Sequence, residues 1–333
     1  MRISDVAKVW VWAFASLLIA LGLTPLAFNA GKAMAELSPV KNFNSVLDRV
    51  AAWSGAADLE DFFTVLWIPS ASLLLLPLIE WLQCTQSRGS TDVAAVAEAF
   101  PTVAKEGFRF EIASNPLVQG LAGFAITFGC FSLIGLGLVK AGEYSWIENA
   151  GGWTTKLFLR TFSMLIVVVA AEAFYRCIML KVFGSAKGAA AAIVMAGMMF
   201  GGINYVLGGF GKTHVLEAEA LSGLGLIGVI FYPADFFHRL IVFFVPWFTF
   251  GCILAWTRWR TASAWLPGGL LLGWMLSGYL FTRTSRAFPS EAPTTSFLVA
   301  NSLHDGLISM LGAIVVGVLV FHLIRRRSHE QQS

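Results

Sequence analysis

Apolar runs of bilayer length recur along the whole chain, and they restrict its fold more than any other feature of the sequence. A helix needs roughly 20 predominantly apolar residues to cross the hydrocarbon core of a membrane, so candidate spans can be found by length alone. Helices also satisfy their own backbone hydrogen bonds, as lipid requires. The pattern predicts eight membrane-spanning helices, at residues 8–28, 62–82, 117–139, 157–180, 188–207, 240–256, 262–281 and 302–324.

The composition also indicates a membrane protein. Of the 333 residues, 57% are hydrophobic and 13% are charged, whereas a soluble domain is roughly half apolar and a quarter charged. The 23 Lys and Arg residues nearly balance the 20 Asp and Glu residues, and no long basic stripe is present, which argues against disorder and against a nucleic-acid partner. We therefore predict an all-α, polytopic transmembrane helix bundle whose first partner is the lipid bilayer.

The basic residues indicate an orientation. Positively charged residues near the ends of spans favour the cytoplasmic side. Two compact clusters directly follow predicted spans, namely Arg258 with Arg260, and Arg325 with Arg326 and Arg327. Placing both clusters inside puts both termini in the cytoplasm, and we predict a multi-pass protein of the cell inner or plasma membrane.

The segments between the spans complete the predicted organisation. Residues 221–232 are apolar but too short to cross a bilayer, and we interpret them as re-entrant or interfacial. Apolar positions in residues 92–113 follow one helix face, which is typical of an amphipathic helix on the cytoplasmic surface or of a linker helix packed on loops. The predicted parts are residues 1–140, a membrane core at 157–282, and a final helix with a basic tail at 283–333.

Chemistry is expected where ionisable groups lie inside a span, because each costs roughly 2.5 to 3.5 kcal/mol to insert. Glu172 and Arg176 lie four residues apart in the fourth span, on one helix face, and could pair directly. This pair could serve function or only fix helix packing. Asn204 follows a glycine pair at the end of the next span, and its amide could hydrogen-bond across to Glu172 or Arg176.

Residues 157–282 carry an ordered set of motif-like features. Glu172 and Arg176 form Glu-x-x-x-Arg, Phe200 lies in the following span, and a turn with Thr261, Ser263 and Trp265 precedes a glycine-rich span. Their order resembles the CPBP family, the CAAX prenyl proteases of type II and the related bacteriocin-processing and Abi-like intramembrane proteases. The resemblance implies an endopeptidase fold, with Glu172, Arg176 and Asn204 at motif-equivalent catalytic positions.

Several residues depart from the family pattern. Ala171 stands where the family has its first glutamate, and Asn204 where it has the histidine of the second motif. Leu271 and Met275 replace the histidine and asparagine of the last motif. The resemblance implies that these family groups activate a water and stabilise the oxyanion in peptide hydrolysis. Alanine and leucine can do neither, so the sequence predicts a catalytically degenerate member.

Two histidines are alternative catalytic candidates. Phe210 and His214 fit Phe-x-x-x-His, although His214 lies in a polar loop, and His304 stands at the head of the last span. His214, His238 and His304 lack the paired spacing of zinc ligands, and no phosphate-binding loop occurs, so we predict no metal and no cofactor. The many glycines are interpreted as sites of close helix packing.

Three function classes remain open from the sequence. The first is a degenerate scaffold that binds a hydrophobic or lipidated peptide or a membrane protein. The second is an active intramembrane peptidase rebuilt around Glu172. The third is an unrelated transporter or channel in which Glu172 and Arg176 line a pathway.

Overall fold

A computed structural model describes residues 3–38, 45–57, 59–86, 115–147, 153–172, 174, 179–210, 233–261, 263–287 and 303–330. These residues are almost entirely helical, which confirms the predicted all-α class. They divide into two compact units, the first formed by residues 1–91 with 205–237 and the second by residues 92–204 with 238–333. Residues 92–113, 221–232, Arg176 and His214, to which the sequence assigned roles, lie outside the described part.

The secondary structure consists of eleven described helices, one π-helical segment and two short strands. In chain order these are α1 Ile3–Leu37, α2 Ser45–Ala56, α3 Leu59–Gln86, α4 Pro116–Lys140, β1 Tyr144–Trp146, α5 Trp153–Ala171, α6 Leu180–Lys187, α7 Ala189–Phe210, α8 Pro233–Arg239, the π-helical segment Leu240–Phe244, α9 Val245–Thr261, α10 Trp265–Thr284, β2 Ser285–Ala287 and α11 Gly306–Glu330.

Each of the eight predicted spans overlaps a described helix, but the count of eight is not confirmed. Among the described residues, five helical stretches are long and apolar enough to cross a membrane. The remaining predicted spans fall on α3, α5 and α10. In α3 and α5 the apolar stretch is shorter, at Asp61–Leu75 and Arg160–Ala171. The five stretches are Asp5–Leu37, Pro116–Lys140, Ala189–Val206, Phe236–Thr261 and Gly306–Ile324.

In the first unit, two indole hydrogen bonds join α1 to α3. Trp12 Nε1 donates to the main-chain oxygen of Ala71 at 3.2 Å, and Trp67 Nε1 donates to Ser16 Oγ at 3.3 Å. The two bonds run in opposite directions and fix an antiparallel register. Hydrogen bonds of this kind help to hold helices together where lipid surrounds them.

Removing one of these donors gives a test of the register. Trp12→Phe keeps an aromatic ring but cannot donate to Ala71, and we expect it to lower the free energy of unfolding by about 1 kcal/mol. The matched control is Trp10→Phe, because no hydrogen bond of the Trp10 indole occurs among the described residues. Unfolding in mixed micelles with increasing dodecyl sulfate measures both variants, and equal losses would contradict the assigned role of the bond.

In the second unit, α4 and α10 pack through glycines. A Cβ on Gly273 would lie 2.7 Å from the main-chain oxygen of Phe124, and one on Gly269 would collide with the main-chain oxygen of Gly120. A Cβ on Gly123 would likewise collide with the main-chain oxygen of Leu266. Small residues let two helix backbones approach closely. Residues 116–140, assigned by sequence to the N-terminal part, thus pack within the second unit.

A two-stranded ribbon joins the same two helices at one end. β1, which follows α4, pairs antiparallel with β2, which follows α10, with Tyr144 opposite Ala287 and Trp146 opposite Ser285. The carboxyl ends of α4 and α10 therefore lie together, at what we call the ribbon end. The sequence did not predict this pairing, because three-residue strands leave no periodic signal of their own.

Candidate functional site

Glu172 lies on the inward face of the helix that carries it. Met164, Val168 and Glu172 are spaced by four residues and are all buried, whereas Phe162 and Val169 on the other face are exposed. The α-helical turns of α5 end at Ala171, and Glu172 is in a wider π-helical turn. Such turns are frequent at functional sites. The pairing of Glu172 with Arg176 that the spacing suggested stays a prediction, since Arg176 lies outside the described residues.

The first turn of α10 receives the Glu172 side chain. A Cβ on Gly268 would lie 3.6 Å from Glu172 Cγ and 3.6 Å from Val168 Cγ1, which is ordinary van der Waals contact. Because Gly268 has no side chain, the Cγ atom of Glu172 can lie close to the backbone of α10. The carboxyl group is held at the edge of the apolar core of the second unit, close to the turn between α9 and α10.

The positions that are motif-equivalent to the family's other catalytic groups lie in apolar surroundings. Leu271 is 2% exposed and belongs to the main hydrophobic cluster of the second unit, together with Leu270 and Trp274. Ala171 and Met275 are partly buried and pack against the same cluster. These three side chains carry no group that titrates or hydrogen-bonds, and their contacts are those of core residues.

Asn204 makes a local hydrogen bond. Its Nδ2 donates to the main-chain oxygen of Phe200 at 2.8 Å, one turn earlier in α7. Phe200 in turn packs on the ring of Trp247, with centroids 5.6 Å apart. The bond from Asn204 to Glu172 or Arg176 that the sequence suggested stays a prediction.

The turn between α9 and α10 is held by its own side chains. Thr261 Oγ1 donates to the main-chain oxygen of Thr257 at 2.8 Å and accepts from the backbone nitrogen of Ser263 at 3.3 Å. Ser263 Oγ accepts from the backbone nitrogen of Trp265 at 3.2 Å. Thr261 and Ser263 therefore satisfy backbone groups that a helix end and a helix start leave without partners.

His304 lies in an aromatic enclosure that the sequence did not reveal. Its ring stacks on Trp274 with centroids 5.0 Å apart, while Trp247 and Phe131 meet it edge-on at 5.7 and 6.2 Å. His304 Nε2 hydrogen-bonds the main-chain oxygen of Trp274 and so acts as donor. The ring also covers Gly278, where a Cβ would collide with it. Phe131 lies more than 100 residues before the other members, and Trp247, Trp274 and His304 each come from a different segment, so no local motif predicts the cluster.

The neighbouring Asp305 links this enclosure to the ribbon. Trp247 Nε1 donates to Asp305 Oδ1 at 3.4 Å. Burial raises the pKa of Tyr144 in β1, and the negative charges of Asp305 and Glu143 raise that pKa further. Tyr144 also packs edge-on against Phe281 at 4.7 Å. These contacts anchor the start of α11 to the ribbon end and give His304 and Asp305 a packing role.

His304 and Glu172 occupy different levels of α10. The Glu172 side chain lies against Gly268, and the His304 ring lies over Gly278. Ten residues of α-helix separate these glycines, which corresponds to about 15 Å along the axis. His304 is therefore far outside hydrogen-bond reach of Glu172, and the two cannot share a proton directly.

Within the described part of the chain, no group of three or more His, Cys, Asp and Glu side chains is placed to hold a metal ion. No protein-family model, curated protein or solved structure matches this chain. The fold and the site thus define a helical protein with several membrane-length apolar helices and, among the described residues of its second unit, one buried carboxylic acid side chain, that of Glu172.

Proposed function

We propose that this protein is a multi-pass membrane scaffold of the CPBP type that has lost peptidase chemistry and binds a hydrophobic or lipidated partner. In this proposal the eight predicted helices span the cell inner or plasma membrane, with both termini in the cytoplasm. Residues 157–282 correspond to the family core, and Glu172 is a remnant of its first motif.

One observation carries the proposal. Ala171, Leu271 and Met275, which stand where the family keeps an acid, a histidine and an asparagine, pack in or against the hydrophobic cluster of the second unit. Peptide hydrolysis requires groups that transfer protons and stabilise an oxyanion. An apolar core at these positions supports binding rather than bond cleavage.

The distance between Glu172 and His304 also favours a scaffold over a rebuilt peptidase. A rebuilt peptidase site needs a second titratable group near Glu172, and His304 lies about 15 Å away along α10. His304 is also engaged with Trp274 through its Nε2. Among the histidines considered as replacements, this leaves His214, whose surroundings are not described.

Peptide cleavage provides the direct test. We expect purified protein in detergent to leave prenylated and unmodified hydrophobic peptides intact. Glu172→Gln should behave as the unchanged protein does, because Ala171, Leu271 and Met275 stand where the family keeps groups that assist catalysis. Mass spectrometry of the peptides after incubation measures both. Cleavage that Glu172→Gln abolishes would overturn the scaffold proposal and establish the peptidase alternative.

Binding is measured with the same peptides. A fluorescently labelled prenylated peptide should show saturable binding by anisotropy, and the same peptide without its lipid should bind at least about 10-fold more weakly, because each buried methylene contributes about 0.8 kcal/mol. Equal binding of both peptides would show that the lipid is not recognised.

A further inference from the structure

Two arginines from different helices converge on one tyrosine in the second unit. The guanidinium groups of Arg160, in α5, and of Arg283, in the last turn of α10, both lie over the ring of Tyr279. Each guanidinium carbon is 5.7 Å from the ring centroid, which is within the range of cation–π attraction. We call these three residues the arginine–tyrosine cluster. One aromatic ring thus brings two positive charges together.

The antiparallel packing of α5 on α10 determines where this cluster lies. Glu172 lies against Gly268 near the start of α10, whereas Arg160, which comes earlier in α5, reaches Tyr279 near the end of α10. Eleven residues of helix separate Gly268 from Tyr279, which corresponds to about 17 Å along the axis. The arginine–tyrosine cluster therefore lies at the ribbon end and is separate from the surroundings of Glu172.

The two arginines keep their positive charges close together without a described counterion. Neither guanidinium group forms an ion pair with a carboxylate of the described residues, and both side chains are exposed. Like charges that share one ring repel each other, and a bound anion would relieve that repulsion. A phosphate group suits such a pair, because guanidinium groups form paired hydrogen bonds with its oxygens.

The position of the cluster on its helices favours the phosphate of a lipid. The apolar stretch of α5 begins at Arg160 itself, and basic side chains at the end of an apolar helix reach the level of lipid headgroups. Val167 lies two turns from Arg160 on the same side of α5 and is 45% exposed. Met275, one turn before Tyr279 in α10, is partly buried. An apolar surface thus continues from the cluster along both helices, and it suits an acyl chain.

We propose that Arg160 and Arg283 bind the phosphate group of an anionic phospholipid in the non-cytoplasmic leaflet. Tyr279 holds the two guanidinium groups at one site, and an acyl chain of the same lipid lies along the apolar surface next to it. The choice of leaflet follows from the proposed topology, in which both termini are cytoplasmic. This binding requires the membrane-spanning arrangement proposed above, but it does not require that the protein binds or cleaves a peptide.

Thermal unfolding of the full chain in nonionic detergent tests this site. Phosphatidylglycerol should raise the melting temperature more than phosphatidylcholine does, because the choline group brings a positive charge close to the arginines. For Arg160→Gln with Arg283→Gln, the phosphatidylglycerol concentration at half-effect should rise by at least roughly 10-fold. Arg160→Lys with Arg283→Lys keeps both charges but loses the paired hydrogen bonds, so it should give a smaller but measurable rise.

Lys140→Gln with Arg286→Gln is the matched control, because it removes two exposed positive charges at the same ribbon end and leaves the cluster intact. It should leave the phosphatidylglycerol effect unchanged. Each variant is compared with its own melting temperature in phosphatidylcholine, which separates lost lipid binding from a weakened fold. Equal effects of the two lipids, an equal loss in the control, no loss in the lysine variant, or the same stabilisation by inorganic phosphate alone would each overturn the proposal.

Discussion

Gly269→Ala is expected to lower the free energy of unfolding by about 3 kcal/mol, at the upper end of what overpacking costs in well-packed interiors. The added Cβ would collide with the main-chain oxygen of Gly120 in α4. A backbone atom inside a helix cannot rotate away as the tip of a flexible side chain can. The helices α4 and α10 would have to separate along their whole glycine contact. Reversible unfolding in mixed micelles measures the loss.

The matched control for this prediction lies in α4 itself. Nothing lies within 4 Å of a Cβ placed on Gly129. Gly129→Ala should therefore leave stability unchanged or raise it by up to about 1 kcal/mol, because alanine loses less backbone entropy in a helix. If Gly129→Ala and Gly269→Ala destabilise the protein equally, the close packing of α4 on α10 does not require a glycine at position 269.

Trp274→Ala is expected to cost about 4 kcal/mol, within the range for large aromatic residues in cores. The Trp274 side chain is fully buried and stacks on Phe250 with centroids 3.8 Å apart. It also contacts Phe131 at 4.5 Å and forms one wall of the His304 enclosure. Because lipid is itself apolar, the loss comes from the cavity and the missing dispersion contacts rather than from exposure to water.

Trp274→Phe separates volume from hydrogen bonding at the same position. Trp274 Nε1 is buried and has no hydrogen-bond partner in the described part of the chain. Phenylalanine removes that buried donor and keeps a ring, so we expect it to cost about 2 kcal/mol less than alanine does. Near-ultraviolet circular dichroism and mixed-micelle unfolding report on the packing and the stability. Equal losses for phenylalanine and alanine would indicate that the indole nitrogen matters more than the ring.

The long apolar helices could be predicted from the sequence because each apolar run reports on its own length. Glu172 could be singled out for a similar reason, because it is an ionisable residue inside an apolar run. Both inferences use residues that are close together in the chain. Local sequence is sufficient to predict an apolar helix and to identify a charged residue within it.

The contacts between helices could not be predicted in the same way. Gly269 shows that a helix contains a small residue, but its packing partner Gly120 lies about 150 residues earlier. The enclosure of His304 combines side chains from α4, α9, α10 and the start of α11, and none of these segments identifies the others. The arrangement of all the helices decides which glycine-containing faces pack together. The sequence of a single helix does not.

The pairing of α4 with α10 has a consequence for biosynthesis. At roughly 5 to 20 residues per second, a ribosome needs on the order of ten seconds to pass from one helix to the other. During that interval α4 is already made, and its glycine face has no α10 to contact. β1 likewise has no strand partner until β2 emerges. The second unit can therefore close only late in translation, and chains truncated before α10 present an unfinished helix surface to the insertion machinery.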